Sequence, residues 1–266
     1  MVKKRSPTLA ALLSLLMLGL GHIYVGSLNK GLSLLAIEYT FIFLAGAIGI
    51  LSTFYGIIAL IILTIGLRLF AIIDSVRIAR RNKNYALKSY NRWYWYIAIF
   101  ATFVLISIIL SSFRSTVLNY ETYRMPFASM SPTLQAGDFI TVNTKYPHAI
   151  RGDVVVFLSP KNRNTVFTKR VIAVGSDHVS IKKGIVIVNG QVLDILQVKD
   201  DKRQKDFSIS MAEIMIPEGQ VFLLGDWRDN SNDSRYWGTV PTSDIIGKVT
   251  YIWFSPDINR IGKPVK

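Results

Sequence analysis

The stretch Met125-Pro126-Phe127-Ala128-Ser129-Met130-Ser131-Pro132-Thr133-Leu134 separates two halves of different chemistry. It follows the last long apolar run and opens the only part of the chain with the mixed composition of a globular domain. Each proline fixes its own φ and pushes the residue before it toward extended backbone. Ser129 and Ser131 therefore read as lying in a stiff, extended segment. On its own such a segment would pass for an edge strand or loop with incidental serines.

Before this stretch the chain is apolar. A helix needs about 20 apolar residues to cross the hydrocarbon core. Four segments are candidates: Leu9 to Tyr24, Leu32 to Ile50, Phe54 to Ile73 and Tyr94 to Ser112. The first is short and interrupted by Gly19 and Gly21. Several spans, and no small-residue cleavage site after the first, argue against a cleaved leader followed by a soluble protein. The net charge of +14 sits largely beside these spans, at Lys3, Lys4 and Arg5 and again from Arg77 to Arg92. Basic residues flanking spans mark cytoplasmic loops and anionic lipid rather than nucleic acid. The loop Arg77 to Arg92, which includes Lys83, carries no acid and should face the cytoplasm. The fourth span then runs outward. Residues 1–114 read as a helical membrane domain with three or four transmembrane or re-entrant helices, and residues 115–266 as a domain on the outer side. Within the membrane segments Glu38 and Arg68 fall at similar depth if their spans are antiparallel. Pairing and separate snorkelling to the interface are both open. The run Gly19-Leu20-Gly21-His22-Ile23-Tyr24-Val25-Gly26, followed by Asn29-Lys30-Gly31, resembles the glycine-aromatic signature of paired-helix modules of the TM2 type.

After the stretch the period changes to two. Strands are expected at 139–142, 153–157, 165–172, 179–181, 185–188, 191–193, 220–224 and 246–253. Asn189-Gly190 is the strongest hairpin signal among them. Many short strands with hardly any helical period indicate a β-barrel or sandwich. Lys199 to Asp206 reads as a solvated charged loop. The loop from Gly225 to Gly238 carries Arg228 and Arg235 among Asp226, Asp229 and Asp233, a composition suited to planar ion pairs that hold a loop rigid.

The available chemistry is narrow. There is no cysteine, which excludes thiol catalysis and thiolate metal sites. His22, His148 and His178 are scattered, without metal-ligand spacing, and no metal or other cofactor is expected. A nucleophile would have to be a serine served by a base other than histidine. Lysine can serve if it is buried and neutral, which requires a shift of roughly two units, or about 3 kcal/mol of desolvation. Lys169 lies in Val166-Phe167-Thr168-Lys169-Arg170-Val171-Ile172, and alternation puts it on the face of Phe167 and Val171 with Arg170 opposite. A lysine pointing outward from a half-exposed strand is the competing reading.

Four blocks taken in order, Pro126 to Leu134, Arg151 to Phe157, Thr168 to Gly175 and Gly225 to Gly238, resemble the motif boxes of bacterial type I signal peptidases. The resemblance spans residues 120–256. It implies a membrane-bound serine endopeptidase that removes signal peptides from exported preproteins after small residues, on the outer, periplasmic face of the bacterial cytoplasmic membrane. It implies Ser129 as nucleophile and Lys169 as general base. Ser231 is implied to orient the lysine amine, Asp233 and Arg235 to brace the loop, and the Ser129 N–H to serve as an oxyanion donor. Met125, Pro126, Phe127 and Thr168 are implied in binding an extended signal peptide, with apolar rim side chains dipping into the lipid bilayer. Two features depart from the pattern. The polytopic module in front exceeds the usual one or two anchoring spans, which keeps open a paralogue dedicated to one pilin or secretion-system substrate. Phe127 stands where a serine hydroxyl can help hold the oxyanion. Loss of such a donor can cost about 10²–10³ in rate, which keeps open an inactive scaffold of the same fold.

Overall fold

The computed structural model describes residues 2–82 and 85–266, the first two of these in backbone only. Lys83, counted above in the basic loop, lies outside the described residues. The chain divides into two compact units. One holds the chain up to Leu51 with Tyr55–Leu118, the other Ser52–Phe54 with Asn119–Lys266.

The first unit comprises β1 (Val2–Lys3), α1 (Pro7–Leu16), α2 (Leu20–Tyr24), α3 (Leu28–Ala47), α4 (Phe54–Arg81), β2 (Tyr85–Ala86), α5 (Trp93–Ser112) and α6 (Arg114–Val117). Helices α3, α4 and α5 are long and apolar enough to cross a membrane. The segment expected at Leu9 to Tyr24 is not one helix. Ser6 caps α1 through its Oγ, and Pro7 occupies the first turn. The helix stops at Leu16, and at about 1.5 Å per residue it is too short to cross. Gly19 then turns at φ +84°, with its Cα packed against the Gly31 backbone where no side chain fits.

Helix α4 extends past the predicted end at Ile73, because its small residues Ala71, Ser75 and Ala79 are buried along one stripe. Ser75 Oγ meets Ser14 Oγ of α1 at 3.0 Å. Close approach through small residues is the usual basis of helix association in lipid. One turn of this stripe places Asp74 to accept from Lys30 Nζ (2.7 Å) and to meet the buried His22 Nε2 (3.0 Å). Arg68 Nη2 lies 3.7 Å from Glu38 Oε1, so these two charges pair, and Arg68 Nη1 also donates to the Leu15 carbonyl (2.8 Å).

The second unit is antiparallel throughout. Its strands are β3 (Tyr120–Arg124), β4 (Phe139–Asn143), β5 (Val154–Leu158), β6 (Val166–Val174), β7 (His178–Lys182), β8 (Ile185–Val188), β9 (Gln191–Val192), β10 (Met211–Met215), β11 (Gln220–Leu224), β12 (Val240–Pro241) and β13 (Ile245–Phe254), with single helical turns α7 (Asp206–Ile209) and α8 (Ser234–Trp237). Seven strands form a sheet in the order β12-β11-β6-β5-β13-β4-β3, and four form a second in the order β10-β7-β8-β9.

Strand β5 explains the layering. Val154 and Val156 pack with Ile140, Val142 and Val249, while Val155 and Phe157 pack with Val171, Leu223 and Val240 on the opposite face. Both faces are covered, so the strand is apolar without interruption. Ile172 is an extra residue of β6 opposite β11, where the register slips between Phe222 and Leu223. This bulge lets Ile172 and Ala173 both join Phe222, Val179 and Val186 in the core that carries the second sheet. Asn189 and Gly190 both have positive φ and close the β8–β9 hairpin as expected.

Candidate active site

Ser129 is not extended. Strand β3 ends at Arg124, and a turn runs from Ser129 through Thr133, in which Ser131 N–H donates to the Ala128 carbonyl (2.8 Å) and Leu134 N–H to Met130 (2.9 Å). Ser131–Pro132 is a cis peptide bond. Met130 and Leu134 are fully buried and anchor the turn in the core. The half-buried Ser129 therefore sits on a turn fixed from below. Its N–H makes no hydrogen bond among the described residues, and its carbonyl accepts from Trp227 N–H (3.1 Å).

Lys169 reaches this serine from the middle of β6. Its Nζ donates to Ser129 Oγ at 2.7 Å, although forty positions separate the two in sequence. Cross-strand from it stands Val155, and Val171 lies on the same face, so the side chain runs through apolar surroundings and is 5% exposed. Burial pushes its amine down from an ordinary 10.5 to about 8; the Asp233 and Asp226 carboxylates pull the other way, and Arg235 adds slightly to the depression. Desolvation disfavours the ammonium form more than nearby carboxylates restore it.

The loop after β11 supports this pair. Asp233 and Arg235 form a two-pronged ion pair at 2.8 Å on each arm. Asp233 also accepts from Gly225 N–H (3.1 Å), and Arg235 continues to the Arg228 carbonyl (2.6 Å) and Ser208 Oγ (3.0 Å). Among the described residues Arg228 does not pair with an aspartate. It is buried and donates to the carbonyls of Gly225 and Leu196, both at 2.8 Å. Burial lowers its guanidinium to about 10, which leaves it charged at neutral pH. Asp229 accepts from the N–H groups of Gln204 and Lys205. The charged run Lys199 to Asp206 is largely exposed, as expected, and its backbone also brackets this loop.

Asp226 takes its partner from elsewhere. Arg170, beside Lys169 but on the opposite face, grips it with Nε (2.8 Å) and Nη2 (2.6 Å). Thr133 Oγ1 donates to the same carboxylate at 2.5 Å, and Arg170 Nη2 reaches Thr133 Oγ1 at 3.2 Å. Arg170, Asp226 and Thr133 therefore tie β6, the loop after β11 and the serine turn together. No sequence signal linked them; the alternation that puts Arg170 opposite Lys169 was the one available hint.

Ser231 is buried, but its Oγ has no hydrogen-bond partner among the described residues, so the hydroxyl-to-amine bond expected of it is absent here. Its side chain lies against Gly225. A Cβ on Gly225 would overlap Ser231 Oγ and come within 2.6 Å of the Ser129 carbonyl oxygen. Gly225→Ala is expected to destabilise the protein by about 1–3 kcal/mol through overpacking. It should also displace Ser129. Thermal unfolding and peptide cleavage measured on the same variant check both.

A cleft of about 540 Å³ opens beside the pair, lined by Met125, Pro126, Phe127, Ser129, Thr168 and Lys169 among others. The Phe127 side chain is 72% exposed there. Met125 is buried and spends both its backbone groups, donating to Asp138 O and accepting from Gly137 N–H, each at 2.8 Å. Thr168 is better placed to meet an extended chain. Val171 turns its N–H to Asp153 of the β5 side (2.8 Å), so alternation aims the backbone of Val171, Lys169 and Phe167 at β5 and that of Thr168 and Val166 away from it. Strand β11 pairs with β6 only as far as Arg170, which leaves this edge open toward the cleft.

Comparison with known proteins gives a consistent picture. The family described as signal peptidase, peptidase S26, matches residues 92–254. A signal peptidase I of Aquifex aeolicus (strain VF5) is 31% identical over 194 residues, covering 51% of this chain and 76% of that protein. A signal peptidase I of Pseudomonas fluorescens is 29% identical over 250 residues, covering 71% and 83% respectively. A probable signal peptidase I-2 of Synechocystis sp. is 32% identical over 181 residues, covering 65% and 77%.

Proposed function

The chain belongs to the signal peptidase family, peptidase S26, a family of signal-peptide-cleaving serine peptidases, and from that premise we propose that Ser129 is its nucleophile and Lys169 its general base. The observation that carries this reading is the 2.7 Å contact between Lys169 Nζ and Ser129 Oγ, made by a lysine that burial holds near pKa 8. With its amine neutral, Lys169 accepts the Ser129 proton as Oγ attacks the scissile carbonyl carbon. The Ser129 N–H donates to the oxyanion that forms. Phe127 adds no donor, so the backbone carries this step. Collapse of the tetrahedral species breaks the C–N bond, and Lys169 returns the proton to the leaving amine. Water then attacks the Ser129 ester, gives its proton to Lys169, and frees the carboxylate and the hydroxyl. The Asp233–Arg235 pair holds the supporting loop in place.

The substrate in this reading is a preprotein whose signal peptide lies extended beside Thr168, with small residues before the cut. Strand addition to the open edge of β6 supplies main-chain hydrogen bonds, and the cleft supplies side-chain selection. Residues 1–114 are the membrane part, with α3, α4 and α5 crossing the cytoplasmic membrane. The basic residues from Arg77 to Arg92 face inward, so α5 carries residues 115–266 to the outer face. The purified chain in lipid vesicles should cleave a preprotein at one bond, mapped by N-terminal sequencing. Replacing the small residue just before that bond by a bulky one should stop cleavage. A panel of preproteins left intact by the active preparation would instead favour a scaffold role.

The pH dependence follows from the base. Only neutral Lys169 can accept a proton, so kcat/KM should rise through pH 8 and level above it. The stability linkage has the same sign. The folded lysine releases its proton near 8 and the unfolded one near 10.5, so the unfolded state binds more protons in that window and stability rises with pH across it. Initial rates measured at limiting substrate from pH 6 to 10 check the first expectation.

A further inference from the structure

The cleft along Thr168 accounts for one side of the scissile bond. Adjoining the cleft at Asn232 lies a second recess of about 290 Å³, lined by Lys161, Ser231, Asn232 and Tyr236. Asn232 lines both spaces, so the recess begins where the cleft ends. Ser231 of this recess and the Ser129 carbonyl both lie against Gly225, so the recess is within reach of a chain that lies extended past Thr168 and presents its carbonyl to Ser129 Oγ. Lys161 stands in the β5–β6 connection, is exposed, and makes no hydrogen bond or ion pair among the described residues. Of the four residues that line the recess, Lys161 is the one with a charged side chain. Arg163 is paired with Asp244 (2.6 Å), and Asp233 is buried under Arg235. Lys161 is thus the charged group of the recess, set beside the Asn232 carboxamide and the half-exposed Tyr236 ring.

Resting on the dyad reading above, we propose that this recess receives the first residues of the released mature chain and that Lys161 favours an acidic side chain there. The favoured substrates are accordingly preproteins whose mature part carries Asp or Glu within its first two positions. A partly exposed charge pair is worth about 0.2–1 kcal/mol. Attraction to an acid and repulsion of a base together should amount to roughly a fivefold preference in kcat/KM.

The test uses the full chain in lipid vesicles and two preproteins that differ only by Asp or Lys at the second residue after the cut. The native chain should prefer the Asp form about fivefold. Lys161→Glu should invert the preference, Lys161→Arg should keep it, and Lys182→Glu, a reversal on the exposed end of β7, should leave it unchanged. Binding of the same two sequences as labelled peptides to the Ser129→Ala chain, read by fluorescence anisotropy, should show the same ordering without any chemistry. The two failures are distinct. Absence of cleavage with the charge-dependent binding intact would overturn the dyad and keep the recess. Cleavage with a ratio that Lys161→Glu does not move would overturn the recess and keep the dyad. A preference that follows charge placed before the cut, or that Lys182→Glu shifts equally, would also overturn it.

Discussion

Ser129→Ala is expected to lower kcat/KM for preprotein cleavage by at least about 10⁴-fold while the fold persists. The variant removes one oxygen from a turn whose anchors, Met130 and Leu134, are untouched. Lys169→Ala should fall by a similar amount, because a serine hydroxyl without a base is a poor nucleophile at neutral pH. The two losses should not add. Residues that act as one unit give double variants about as impaired as either single one. A residual rate shared by the three variants would be what the Ser129 N–H and substrate binding supply on their own. Lys169→Arg is expected to be inactive too, since a guanidinium stays protonated throughout the working range. A double variant many orders slower than either single one would mean that serine and lysine act in separate steps.

Arg170→Met is expected to give the largest loss of stability, about 3–5 kcal/mol, because it leaves the Asp226 carboxylate buried without its partner. Asp226 and Arg170 are 3% and 5% exposed. Thr133 would be the carboxylate's remaining side-chain partner. The damage should reach the chemistry as well. Thr133 sits in the turn that presents Ser129, and Asp226 follows the Gly225 that packs on Ser231 and the Ser129 carbonyl. Denaturant unfolding of the full chain measures the first effect. The compensating pair Arg170→Met with Asp226→Leu should recover much of the stability, since a buried ion pair can be exchanged for apolar residues at little net change. It should not recover the full activity, because Thr133 then loses both partners. Equal stability of the single and paired variants would contradict this account of the loop.

The strands of the second unit were legible where both faces or one whole face are apolar. Val154 to Phe157 and Val166 to Ile172 declare themselves by composition, and Asn189-Gly190 by turn chemistry. Strands β3 and β10 were not legible. Tyr120-Glu121-Thr122-Tyr123-Arg124 and Met211-Ala212-Glu213-Ile214-Met215 lie at sheet ends and stay partly or largely exposed, so burial wrote no alternation into them. Two prolines misdirected the reading of the Ser129 segment, because they restrict single residues while the turn is set by Met130 and Leu134 docking in the core. Lys169 was legible as a candidate from its apolar face, and Ser129 from its motif. The 2.7 Å between them could not be read from either. The Arg and Asp content of the 225–238 loop announced ion pairs but not which. Arg235 found Asp233 within the loop, while Asp226 found Arg170 and Arg228 found the Leu196 carbonyl beside that of Gly225; Arg170 and Leu196 are partners that only the folded chain brings close. In the first unit depth put Glu38 level with Arg68 but left pairing and snorkelling both open, and the fold pairs them. Asp74 did not, because the helix that carries it runs on beyond the apolar run.

Transfer of the acyl group to Ser129, with Lys169 taking the proton, is tested most directly by trapping the ester. A peptide ester ending in a small residue, quenched in acid within the first turnover, should leave the acyl mass on the proteolytic fragment that contains Ser129. The yield should approach one per active site, rise through pH 8, and be lost in both Ser129→Ala and Lys169→Ala. An acyl group found on another residue, or full turnover by the Ser129→Ala chain, would contradict it.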